Sequence, residues 1–181
     1  EGSIPNCLST LLFAASAVLL WKIGSAKAKA GDRTGRLWRG LSVVFALFTV
    51  DDGAAIHESF VNSLRDAFHA GGFLYFSWVI PALIILALLA PVLFRVWLSL
   101  PGPTRIVLAL AALFLVGGAL GMEMIEGRYV ERWGHQTMTY SLLATLEETM
   151  EFIGQVLFLY GLLRIIRAEP EPAPVAASAD T

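Results

Sequence analysis

The chain has 181 residues, 56% of them hydrophobic and only 15% charged, well below the roughly 25% charge of an ordinary soluble domain. Its net charge of −2, with 13 Lys and Arg scattered at segment ends, gives no footprint for nucleic acid. The single cysteine, Cys7, excludes an intramolecular disulfide and a cysteine-built metal cage.

This length suits one compact unit, and the hydropathy pattern predicts an all-α polytopic membrane helix bundle over residues 1–168, with about five transmembrane helices. The first span is expected over residues 5–23. Its apolar run, Leu8 to Trp21, precedes Ala26-Lys27-Ala28, a faint resemblance to a cleavage site. Positive charge follows that run rather than leading it, so a signal anchor is expected in place of a cleaved signal peptide. The second span, residues 37–60, carries several acids. The third, residues 73–98, runs from Phe73 to Phe94 without a charge and holds Pro81 and Pro91, which membrane helices tolerate with a kink. The fourth and fifth are expected over residues 106–126 and 137–166, and residues 169–181, rich in Pro, Ala and acids, read as a disordered cytoplasmic tail. No internal repeat marks an inverted-repeat transporter.

Loop charge sets the expected orientation. Lys22, Lys27, Lys29, Arg33, Arg36 and Arg39 lie between the first two spans, Arg95 and Arg105 flank the third link, and Arg164 and Arg167 follow the fifth span. The opposite loops hold only Arg65, Arg128 and Arg132, diluted by Asp66 and Glu131. The positive-inside rule then puts the N-terminus outside and the C-terminus in the cytoplasm. Trp21, Trp38, Trp78, Trp97 and Trp133 fall near span ends and read as interfacial anchors.

Eight acids sit in or at the edge of these spans: Asp51, Asp52, Glu58, Glu123, Glu126, Glu147, Glu148 and Glu151. One charge at the bilayer centre costs about 2.5–3.5 kcal/mol even on the lenient insertion scale, so such a set must face inward and find protons or positive charge. The expected chain directions bring all three groups to the outer half of the bundle. Asp51 and Glu58, seven apart on one helix, are expected to share a face, and Glu147 or Glu148 with Glu151 and Gln155 make another. Gly117 and Gly121 form a G-x-x-x-G that lets backbones approach. His57 is the one basic side chain expected at that depth, whereas His69 and His135 are expected in outer loops.

An oxygen-rich site with one imidazole suits Ca²⁺, Mg²⁺, Mn²⁺, iron or Zn²⁺, and the expected metal ligands are Asp51, His57, Glu58, Glu123, Glu147, Glu148 and Glu151. Asp52 and Glu126 are expected to sit aside from it. No second buried His is available for haem, and no nucleotide-binding motif is present.

Four stretches carry a resemblance. Val50-Asp51-Asp52-Gly53-Ala54-Ala55-Ile56-His57-Glu58, Trp78-Val79-Ile80-Pro81, Gly117-Gly118-Ala119-Leu120-Gly121-Met122-Glu123 and Leu146-Glu147-Glu148-Thr149-Met150-Glu151-Phe152-Ile153-Gly154 together resemble a group of uncharacterised bacterial multi-span membrane proteins. Asp52 stands where that group has Glu. The resemblance implies a multi-pass protein of the bacterial inner membrane and says nothing of mechanism.

Three functions follow as expectations. The first is a divalent-cation site, structural or hydrolytic, in which a metal-bound water would act with one Glu as general base. The second is a proton or cation conduit, which the apolar stretch Val156-Leu157-Phe158-Leu159-Tyr160 disfavours. The third is an accessory subunit that meets a membrane protein partner or a second copy of itself within the lipid bilayer.

Overall fold

A computed structural model describes residues 4–168, leaving the side chains of residues 4, 5, 57 and 58 outside the described set. The expected tail, 169–181, lies outside the described residues, and those described form helices with no strand among them. In chain order these are α1 (Ile4–Lys29), α2 (Gly35–Ala54), α3 (Ile56–Phe68), α4 (Val79–Leu98), α5 (Gly102–Val116), α6 (Glu123–Trp133) and α7 (Met138–Ala168). A short 3₁₀ turn at Gly72–Leu74 precedes α4, and a π-helical stretch, Gly117–Met122, joins α5 to α6.

Four helical runs among the described residues are long and apolar enough to cross a membrane: Asn6–Lys29, Val79–Leu98, Gly102–Trp133 and Met138–Ala168. A fifth arises only if α2 and α3 count as one broken span. The continuous helix expected over residues 37–60 is therefore corrected. It stops at Ala54, Ala55 turns left-handed (φ 48°), and the chain leaves α2 at 104°. Asp51, Asp52 and Gly53 are poor helix formers in succession, and the Ala55 N–H closes the end by donating to the Asp51 carbonyl. The third span also starts later than expected. Residues 73–78 form a turn and bend, and Pro81 falls in the first turn of α4, where its missing N–H costs nothing.

Helices α1 and α2 make the closest antiparallel pair, and α7 packs against α5 and α1. Glycine permits these approaches. A Cβ on Gly154 would stand 2.5 Å from the Leu115 backbone nitrogen, and one on Gly35 would stand 2.7 Å from the Ala28 nitrogen. One apolar core gathers Phe13, Leu20, Ile23, Trp38, Phe45, Val96, Leu100, Leu162 and Ile165, with Phe158 stacked on Phe45 at 4.6 Å between ring centroids.

That core joins the C-terminal ends of α1, α4 and α7 to the start of α2, so the basic flanks of these segments collect at one end of the bundle. We call it the basic end. Trp38 is 3% exposed and belongs to this core, which corrects its reading as a belt residue. Trp21 remains exposed with the Arg39 guanidinium over its ring.

Candidate functional site

The acids assemble at the opposite end, and the π-helical stretch explains how. A π turn holds one residue more than an α turn, so it rotates everything after it by about 100° relative to a regular helix. Gly118 within it lies against α7, where a Cβ would meet the Glu151 Cγ at 2.9 Å and the Glu147 carbonyl at 3.2 Å. Helix α6 then begins with Glu123 and Glu126 directed at α7. The expected G-x-x-x-G contact is corrected in detail: Gly118 makes the close approach, while Gly121 faces open space.

Glu147, half-buried, sits at the junction beside the carboxyl groups of Glu126 and Glu123. Carboxyl groups brought so close together favour a proton or a cation among them. Glu126 is 3% exposed, and its Oε1 has no hydrogen-bond partner. Glu151 is half-buried, and its charged neighbours are Glu123, Asp52, Glu148 and Glu126. Glu123 accepts a hydrogen bond from the Trp78 indole N–H at 3.1 Å. Trp78 is thus a partner of the acids and not only an interfacial anchor.

A second polar chain reaches the cluster from α1. Gln155, 2% exposed, donates through Nε2 to the Ser9 hydroxyl at 2.7 Å, and Ser9 donates to Asp52 at 3.3 Å. The Thr10 hydroxyl also donates to Asp52, so α1, α2 and α7 are tied by one hydrogen-bonded chain. The Gln155 Oε1 has no partner. Asp52 and Glu126, expected to sit aside, are therefore integral to the assembly.

The remaining expected ligands divide. Glu123, Glu147 and Glu151 are brought together, Asp51 is half-buried on α2, and Glu148 is exposed on α7. The side chains of His57 and Glu58 lie outside the described residues, but the break at Ala55 removes the single-helix face that was to align Asp51 with Glu58. His69 and His135 are exposed, His135 lying edge-on to Tyr140. The ion pairs Lys27–Asp32 and Arg128–Glu131 involve no member of the cluster. Among the described residues, no three His, Cys, Asp or Glu side chains form a group that could hold a metal ion.

Relatives add the family and nothing about activity. The model of a domain of unknown function, DUF8692, matches residues 3–166. The chain belongs to that family. No curated protein and no solved structure matches it. The DUF8692 match takes in every residue of the carboxylate assembly, from Ser9 to Gln155.

Proposed function

We propose that the protein is built around a one-ended carboxylate centre that takes up positive charge inside a membrane bundle. The observation that carries this reading is the position of Glu147 between Glu126 and Glu123, where carboxyl oxygens approach one another and no described ion pair intervenes. Protons shared among these three groups are the occupants that this contact supports. Their access is from the acidic end. The other half of the bundle is packed largely by Phe45, Phe158, Leu20, Leu162 and their neighbours, which disfavours a through-conduit.

A divalent cation is the second reading, favoured by the two buried oxygens without donors, Glu126 Oε1 and Gln155 Oε1. Hard cations take such oxygen ligands. A metal would draw a ligand from His57 or Glu58, or require a carboxylate to rotate, because the described side chains do not by themselves offer three ligands. A metal-bound water could then support hydrolysis. Placement in a bacterial inner membrane, with the acidic end and N-terminus outside, belongs to the same proposal and rests on the loop charges and the sequence resemblance.

Thermal melting with and without chelator, alongside elemental analysis of the purified protein, separates the two readings. Shared protons predict no stoichiometric metal and an unchanged melting temperature. Stoichiometric metal, with melting lowered by chelator and restored on adding the ion by mass action, would replace the proton reading with the metal reading.

A further inference from the structure

Helix α3 has the sharpest separation of apolar and polar sides among the described helices. Ile56, Phe60, Leu64 and Ala67 follow one another at steps of three and four residues, with Val61 and Phe68 flanking them, so they line one side. Ser59, Asn62, Ser63 and Asp66 line the other, while His57, by its spacing from Phe60, Val61 and Leu64, falls on the apolar side. Yet the apolar side is not buried against the bundle. Phe60 is 55% exposed and Phe68 53%.

Three observations say what covers it. Helix α2, though not apolar enough to count as a span by itself, packs along the spanning helix α1 and advances about 30 Å over its 20 residues, the thickness of the hydrocarbon core, before the chain turns. The turn is 104°, so a chain that crossed the bilayer along α2 continues nearly parallel to its surface. On α2 the row Val43, Leu47 and Val50, at exposures of 54, 62 and 58%, is an apolar stripe of the kind that faces lipid. Arg65 marks the polar edge, its guanidinium 4.4 Å from the Tyr75 ring centroid, which ties α3 to the α3–α4 connection with its apolar side turned away.

We infer that α3 is an interfacial helix that lies flat on the bilayer at the acidic end, its Ile56–Phe60–Leu64–Ala67 side in the boundary between headgroups and acyl chains. A helix of this pattern sinks its apolar side about 5–10 Å into that boundary. The break at Ala55 then converts the end of a span into a membrane-surface strap beside the carboxylate centre. This inference does not depend on which cation the centre holds.

Nitroxide accessibility on the full chain tests it. In a Cys7→Ser background, Phe60→Cys, Phe68→Cys, Asn62→Cys and Asp66→Cys are spin-labelled, with Leu47→Cys as the lipid-facing reference. Each is reconstituted in phosphatidylethanolamine–phosphatidylglycerol vesicles and exposed to oxygen and to a water-soluble nickel chelate. Positions 60 and 68 should match position 47 in favouring oxygen, by several-fold over positions 62 and 66, which should favour nickel. Two apolar positions are used so that one misfolded variant does not decide the result. Nickel access at 60 and 68 equal to that at 62 would put α3 in water and overturn the inference. Oxygen preference on both sides would make α3 the outer half of a broken span, and exclusion of both reagents from 60 and 68 would mean that protein covers them; either result also overturns it.

Discussion

The two ends of the bundle use the same helices in opposite ways. Toward the basic end α1, α2, α5 and α7 meet through interlocked aromatic and aliphatic side chains, Phe158 stacked on Phe45, and through a glycine seam of α7 on α5 that starts with Gly154 at the border of the acids and runs to Gly161. At the acidic end α7 meets α6 and α1 through carboxyl, hydroxyl and amide groups, from Glu147 to Gln155. Within a bilayer lipid competes for every apolar contact, so the first kind of packing gains from closeness and the second from hydrogen bonds that lipid cannot supply. The basic end is therefore specified by what is small, and the acidic end by what is polar.

Closing the glycine seam should have the largest effect. Gly154→Val places carbon where Leu115 nitrogen stands 2.5 Å from the first added atom, and that atom is backbone, which cannot move aside cheaply. Overpacking of this kind costs about 3 kcal/mol, more than the roughly 1 kcal/mol that losing a helical glycine returns. Denaturation in detergent should show that net loss. A variant as stable as the parent would mean that α5 and α7 are not held at this distance.

Cutting the polar tie should cost less. Asp52→Ala removes the acceptor shared by Ser9 and Thr10; the bonds are part-buried and Thr10 keeps the Asn6 carbonyl, so the loss is about 0.5–1.5 kcal/mol. Asp52→Asn, which keeps an acceptor for one of the two hydroxyls, should recover part of it. If Asp52→Ala costs more than Gly154→Val, the comparison reverses and the acidic end carries more of the association between α1, α2 and α7.

The smallest effect is expected at Asp32 in the α1–α2 link, outside the spans. The Thr34 backbone N–H donates to its carboxylate at 2.8 Å and holds its pKa below the usual 3.8. A depressed carboxyl pKa contributes stability that is present above 3.8 and lost as pH falls through the folded value. Asp32→Ala should thus melt slightly below the parent at about pH 7, with the gap closing toward about pH 2, where the carboxyl is protonated in both states. A gap that persists in acid would assign the contribution to geometry and not to charge.

Much of this contrast was legible in the sequence. Apolar runs of sufficient length mark α1, α4, α5 and α7, and the chemistry of the acids, with alternating chain direction, brings Glu123, Glu147 and Glu151 to one end. The dry stretch from Val156 to Tyr160 likewise contributes Phe158 to the apolar packing toward the basic end. Three features were not legible, each because it depends on backbone geometry that hydropathy does not encode. The left-handed Ala55 ends α2 inside an apparent span, although Asp51-Asp52-Gly53 was the available signal. The π-helical stretch places Glu126 in the interior, where regular helical spacing left it at the rim; the close-set Gly117-Gly118 and Gly121 hinted at it. The ties from Ser9, Thr10 and Trp78 are long-range pairings of polar groups at unremarkable span positions, and nothing local selects them.

In the proposed reading Glu126 and Glu147 share protons. The most direct test is the melting temperature of a Glu126→Gln, Glu147→Gln double variant against the parent, both purified identically and melted without chelator. Gln keeps the shape and the hydrogen-bonding capacity while removing the charge that the carboxyl groups must otherwise neutralise. The account predicts that the double variant melts higher than the parent. A double variant that melts lower would contradict it, because the carboxylates would then be supplying stability through a bound cation that amides cannot hold.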